Sequence, residues 1–439
     1  MVRSTFVGLA LLAAGQPVMA QSGSSDPLAR EVETRLTAVM PKVIAWRRDI
    51  HQHPELGNRE VRTAKLVADH LRSLGIEVQT EVGVTGVVGL LRGGRAGPVV
   101  ALRADMDALP VTELVDLPFK STVRTIYNGA EVGVMHACGH DNHVAILMGV
   151  AEIFAGMRAQ IPGTIKFIFQ PAEEGPPAGE EGGAPLMVKE GVLQNPRPDA
   201  IFGLHVWPGP LGSLSYRSGG AMAAPDGITI VVKGRQTHGA VPWGGVDPIV
   251  VSAQIVLGLQ TIVSRQVDIT ALPAVVTIGS IQGGNRGNII PDSVVMVGTI
   301  RTFDEQVRKD IHDRVRRTVT SIAAASGATA TIDIPSGGLL TYNDPALTER
   351  MAPTLARTAG KGGVNPTMPP VTGAEDFPAF TQEIPGLYYF LGVSPEGQDL
   401  NTVPRNHSPY FFADEAALPT GVRSMANLAL DFLRSKPVP

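Results

Sequence analysis

Nine consecutive residues, Met135-His136-Ala137-Cys138-Gly139-His140-Asp141-Asn142-His143, hold the chain's one cysteine, three of its ten histidines and an aspartate. Thiolate, imidazole and carboxylate are the side chains that bind divalent transition metals. More groups of that kind stand far away in the chain. Gln170-Pro171-Ala172-Glu173-Glu174 and Gly203-Leu204-His205 each close an apolar run, and His407 sits in Asn406-His407-Ser408-Pro409-Tyr410. Four separated loops that offer ligands predict one site assembled by folding. The fold must therefore bring distant parts of the chain to a common point.

The apolar runs indicate how. Pro98 to Leu102, Thr164 to Phe169 and Asp199 to Leu204 are short and apolar, the mark of strands buried on both faces. Between them lie helical patterns, including one with Val144, Leu147, Met148 and Phe154 on its apolar positions, for which Asp141 is the expected cap. Two more helices are expected before them, Leu28 to Ile50, kinked at Pro41, and Arg59 to Leu74. His51, His53 and His70, which lie there, read as capping or packing residues. Strand, helix, strand, repeated, predicts an α/β fold with a mostly parallel sheet covered by helices. Such sheets bind ligands beyond the carboxyl ends of their strands, where Asp105, Asp107, Glu173, Glu174 and His205 fall.

From about Ser218 the pattern changes. A strand at Gly227 to Val232, a helix opened by Asp247-Pro248, strands at Ala274 to Ser280 and Ser293 to Arg301, a helix capped by Asp304 and a strand at Ala328 to Ile334 give βαββαβ. That is the ferredoxin-like order, read as an inserted domain at 218–334 between two parts of a catalytic domain, 21–217 and 335–439. A chain of 439 residues is too long for one ordinary core, which agrees with two domains. Pro176 to Gly183 reads as a mobile loop near the site.

A net charge of -4 with interspersed signs leaves no basic footprint for nucleic acid. No apolar run beyond the N-terminus is expected to span a membrane. At the N-terminus, Arg3 precedes an apolar run from Phe6 to Ala14, and Val18-Met19-Ala20 offers small residues for cleavage. Residues 1–20 therefore read as a secretory signal peptide, which makes the protein periplasmic or secreted. In such a compartment a free cysteine is an oxidation liability, and metal coordination removes it.

Taken together these segments resemble the metal-dependent aminoacylase and carboxypeptidase family, in its branch of hippurate hydrolases, N-acyl-amino-acid amidohydrolases and auxin-conjugate hydrolases. The resemblance rests on Ile50 to Leu56, Asp105 to Pro110, His136 to Asp141, Gln170 to Glu174, Gly373-Ala374-Glu375-Asp376-Phe377 and His407-Ser408-Pro409. It implies that Cys138, His140, Glu174, His205 and His407 bind two divalent ions, zinc, manganese or cobalt. It also implies that Glu173 is the general base, that Asp107 orients the metal site, and that His238 reaches into the site of a partner in a homodimer or higher homo-oligomer formed through the inserted domain. Asn288, with Arg286 beside it and Trp243, is the expected substrate contact. In the segment Gly234 to Trp243, many relatives have two glycines before the histidine and a second histidine where Trp243 stands.

The implied activity is cleavage of an N-acyl-amino acid to a carboxylic acid and a free amino acid. Dipeptidase or carboxypeptidase action is the alternative on the same scaffold, and a non-catalytic binding protein a more distant one. Adjacent side chains in an extended segment point apart, so Glu173 and Glu174 would not ligate one ion together. A serine hydrolase would need a nucleophile elbow, and the chain has no Gly-x-Ser-x-Gly. If the export reading holds, N-terminal sequencing of protein taken from the producing cell returns Gln21 as the first residue, and retention of Met1 rejects it.

Overall fold

The protein is described by a computed structural model covering residues 26–435; the expected signal peptide lies outside them. Its first helix, Pro27–Gln52, opens where the Asp26 carboxylate accepts from the Leu28 amide, with proline at the first helical position. The helix runs on through Pro41 and buries Val32, Leu36, Val39, Val43 and Ile50. A second helix, Val61–Ser73, leads into an eight-stranded sheet.

The sheet order is Glu77–Val82, Gly86–Arg92, Pro162–Gln170, Arg95–Asp105, Ala200–Trp207, Gly386–Gly392, Leu214–Ser215 and Val364–Asn365. The four central strands, 162–170, 95–105, 200–207 and 386–392, run parallel, and the strand on either side of them, 86–92 and 214–215, pairs antiparallel. Register positions the chemistry. Asp105 lies opposite Gln170, Arg103 opposite Gly203, and His205 opposite Phe390. The chain segments that follow these residues therefore emerge at one edge. His205 is inside its strand, which extends to Trp207, and not just past its end as expected.

The helix His140–Met157 is buried on almost all sides and starts at Gly139, whose φ of 90° is open to a residue without Cβ. Asp141 is not its cap, contrary to the sequence reading. Its carboxylate instead meets Arg47 and His51, at 2.9 Å each, under the first helix. An ionised side chain with two buried cationic partners has more to gain there than at an amide already facing the site. The segment 176–183, expected to be mobile, is tied to the 58–59 turn, because Glu180 accepts from Asn58 and from Arg59.

The strands Ala224–Lys233, Val275–Gln282, Ser293–Thr302 and Thr329–Asp333 form a separate antiparallel sheet with the 275–282 and 329–333 strands at its edges. Two helices cover one face, Pro248–Gln266 and Glu305–Ala325. Both start as read from the sequence. Asp304 accepts from the amides of Gln306 and Val307, and Asp247 from that of Ile249. By length and hydropathy Pro248–Gln266 could cross a membrane, which the sequence reading overlooked. Its Val251, Ile255, Leu259 and Ile262 pack instead into the core of this sheet, with Ile230, Met296 and Val315. Leu257, Val250 and Ile249 on its other side are exposed.

Candidate functional site

At the carboxyl ends of the central strands, five ligand-type side chains converge with Glu173. Cys138 Sγ lies 3.3 Å from His205 Nε2, His407 Nε2 lies 3.0 Å from a Glu174 oxygen, and His140 Nε2 lies 3.8 Å from a Glu173 oxygen. Cys138, His140 and His205 form one group able to hold an ion, and Cys138, Glu174 and His407 another, with Cys138 common to both. His407 reaches the site because its backbone adopts φ 71° and its amide donates to Ala137 O; its ring is half exposed. Asn406 fixes the same turn by donating to Cys138 O and Val206 O.

The backbone decides which ring nitrogens face inward. His140 Nδ1 donates to Asp107 O at 2.8 Å and His205 Nδ1 to Val206 O at 2.7 Å. In its neutral form each ring is thereby the tautomer whose Nε2 offers a lone pair, the form a metal ligand needs. His140 Nε2 is buried and has no hydrogen-bond partner among the described residues. His143 stands in the same motif but is not available, since Nδ1 meets Asp105 and Nε2 accepts from Val206 N. Asp107 joins two ligand segments, accepting from His140 through its backbone oxygen and from the Glu174 amide through Oδ2.

Charge tests whether metal ions suit this donor set. Burial, together with the Glu174 and Glu173 carboxylates, holds the Cys138 thiol well above its ordinary pKa. Burial and the acidic neighbours Glu375 and Glu174 raise that of Glu173. Burial opposes a charge on His140, but Asp105 and Asp107 outweigh it and lift its pKa to about 10. All three shifts retain protons, so the cluster carries more negative charge than its burial tolerates. Divalent cations relieve that excess, and a thiolate, imidazoles and carboxylates are their ligands; the residues fit.

Beneath the cluster lies a network that sequence reasoning did not assign. Arg103 is fully buried and binds Asp105 at 2.5 Å, Glu375 at 2.7 Å, Asp376 at 3.1 Å and Gln170 at 2.7 Å. Tyr388 donates to Glu375, and Asp376 accepts from Gln170 and from the Ala184 amide. Burial and the neighbouring Glu375 push the Asp376 carboxyl up to about 8, against the pull of Arg103. The available signal was an arginine inside an apolar strand.

His238, Trp243, Arg286 and Asn288 are exposed and do not line the cavity over Glu173. The inserted domain gathers them with one another instead. The 237–238 segment pairs with Ile289–Ile290, and the Gly239 amide donates to Asn288 O. Trp243 is 81% exposed.

The profile of Peptidase family M20/M25/M40 matches residues 101–431. The chain belongs to that family. It is 43% identical over 393 residues to thermostable carboxypeptidase 2 of Saccharolobus solfataricus, covering 89% of this chain and 95% of the relative. It is 37% identical over 400 residues to an N-acetylcysteine deacetylase of Bacillus subtilis, covering 90% and 97%. To an Arabidopsis thaliana IAA-amino acid hydrolase, ILR1-like 2, it is 37% identical over 417 residues, covering 92% and 90%. The crystal structure of Bacillus subtilis YXEP, described as a dinuclear metal-binding peptidase of the M20 family, superposes with a TM-score of 0.76 at 36% identity, covering 90% of this chain and 99% of that one. As a member of the M20/M25/M40 family the protein is a metal-dependent hydrolase of amide bonds.

For this family member, Cys138→Ser replaces the one donor common to both groups by a poor metal ligand. Metal content measured on purified protein is expected to fall together with activity; full metal content in that variant removes Cys138 from the ligand set.

Proposed function

We propose that this protein is an exported N-acyl-amino-acid amidohydrolase, acting on N-acetyl-, N-benzoyl- or aryl-acyl conjugates, with Glu173 as general base. One observation carries the reading. No hydrogen bond among the described residues engages the Glu173 carboxylate, although it lies 3.8 Å from His140 and is almost buried. Of the carboxylates around it, Asp105 is held by Arg103 and His143, Glu375 by Arg103 and Tyr388, and Asp376 by Gln170, while Glu174 faces His407 at 3.0 Å. A carboxyl group left without hydrogen bonds at the rim of a ligand cluster, its pKa raised by burial and by Glu375, is placed to exchange a proton with a neighbouring water.

Cys138, His140, Glu174, His205 and His407 would hold two divalent ions, which supply an acidified water and a polarised carbonyl; the thiolate and imidazole donors favour zinc, with manganese and cobalt as alternatives. Asp107 keeps His140 and the Glu174 backbone in place. Glu173 takes a proton from the attacking water and delivers it to the leaving nitrogen, so no other acid is required. The carbonyl oxygen gains charge as the tetrahedral centre forms. His238, brought from the inserted domain of a second copy, donates to that oxygen.

The surfaces support such a dimer. The 275–282 strand lies at a sheet edge, and Ile281, Leu257 and Val250 near it are exposed and apolar. An arrangement in trans also agrees with His238 lying outside the cavity of its own chain. Carboxypeptidase action is the second reading, favoured by the 43% identity to the Saccharolobus carboxypeptidases.

Glu173→Gln preserves shape and removes the base. Turnover is expected to drop by about 10²–10⁴-fold with near-normal metal content, and a loss below about tenfold dismisses the role. The dimer reading gives a separate result. An equal mixture of inactive His238→Ala and inactive Glu173→Gln proteins regains activity after subunit exchange, with about a quarter of all sites functional when exchange is random. No recovery despite proven exchange places His238 within its own chain or outside catalysis.

A further inference from the structure

The chain leaves the inserted domain through Ser336-Gly337-Gly338-Leu339-Leu340, and this crossing borders a cavity of about 380 Å³ over Glu173 and Glu174. That volume lies within the roughly 300–1,000 Å³ of small-molecule sites. Its lining combines neutral residues, Pro185, Pro225, Leu339 and Ala379, with the carboxyl groups of Glu375 and Asp376. Neighbouring leucines face opposite ways. Leu340 is buried with Phe303 and Ala224, whereas Leu339 is 36% exposed and borders the cavity.

The wall has a fixed position. The Gly337 amide donates to Pro225 O at 2.9 Å, and a Cβ on Gly337 would stand 2.9 Å from that oxygen, so the crossing lies flat on Pro225. Arg308, near the start of the helix Glu305–Ala325, donates to Gly338 O at 3.0 Å and to Ser336 Oγ at 2.8 Å. The same guanidinium binds the buried Asp226 at 2.9 and 2.5 Å, and His312 approaches that carboxylate at 2.8 Å. The crossing is thus bolted to the inserted domain while its leucine faces the catalytic one.

We infer that Leu339 is the residue that selects the acyl group, with Pro185 and Pro225 as the rest of its subsite and Arg308 as the positioning residue of the wall. This deepens the amidohydrolase reading and rests on it. The two halves of an N-acyl-amino acid differ in charge. The amino-acid half carries a free carboxylate, which a lining rich in acidic groups disfavours. The acyl half is neutral and often apolar, and it matches the proline and leucine wall. Leu339 sets the depth of that wall: its bulk limits the room for an aryl or long alkyl acyl group and leaves an acetyl unaffected.

The test uses metal-loaded protein and one amino acid carrying acetyl, butanoyl, benzoyl or phenylacetyl groups. Leu339→Ala should raise the benzoyl-to-acetyl ratio of kcat/KM by about fivefold or more, and Leu339→Trp should lower it by about tenfold or more, the range over which pocket size discriminates. Arg308→Lys keeps the charge but loses the fork. It should move the ratio in the direction of Leu339→Ala through KM, with kcat for the acetyl substrate little changed. Ratios within about twofold of the parent in both Leu339 variants, or ratios that follow the amino acid instead of the acyl group, overturn the assignment. If the parent cleaves none of the series, the amidohydrolase reading itself fails. The subsite is still decided by calorimetric binding of benzoate, which Leu339→Trp must weaken about tenfold and which, unchanged, counts against it.

Discussion

The Arg103 guanidinium is the interaction on which the site depends. It is fully buried and stands among Asp105, Glu375 and Asp376, which come from two parts of the chain separated by the whole inserted domain. Losing it would leave two buried carboxylates and the partly buried Asp376 around an unfilled space, a change that typically costs about 3–5 kcal/mol even for a single broken pair. Its effect reaches the chemistry through neighbours. Asp105 in turn holds His143, and His143 accepts from the Val206 amide beside His205. A cation that never touches substrate thus sets the position of ligand segments on both sides of the cleft.

The parts legible in the sequence were those written in local pattern. Apolar runs read as strands because continuous burial needs no information from elsewhere. Asp247 and Asp304 read as caps because a cap acts on amides two or three residues away. The ferredoxin-like order followed from alternation alone, and the sheet order of the inserted domain agrees with it. The convergence of Cys138, His140, Glu174, His205 and His407 was legible for a different reason, since few side chain types bind metals and these stand near strand ends.

What escaped was long-range pairing between ionised groups. Asp141 looks like a cap in its own helix, and only the approach of Arg47 and His51 from the first helix makes it a charge partner. Glu60, near the start of the second helix, gave no local hint that it would be buried against Thr85 and the Ala172 amide, where burial and the Asp107 charge push its pKa up to about 7. Leu339 offered still less, because a leucine after two glycines has no pattern. Its setting exists only when the crossing is laid on Pro225.

The position of His407 has a consequence for how the protein matures. Every other proposed ligand precedes the inserted domain, so a chain emerging from synthesis can assemble the sheet around Cys138, His140 and His205 while the last donor of the proposed set is still missing. The centre is completed only when the closing strand Gly386–Gly392 has docked and the 406–408 turn has folded back onto Ala137 and Cys138. Ion acquisition is then a terminal event of folding. Because many divalent ions satisfy such a donor set, the ion taken up is governed by the metals present where and when that last segment settles, and not by affinity alone.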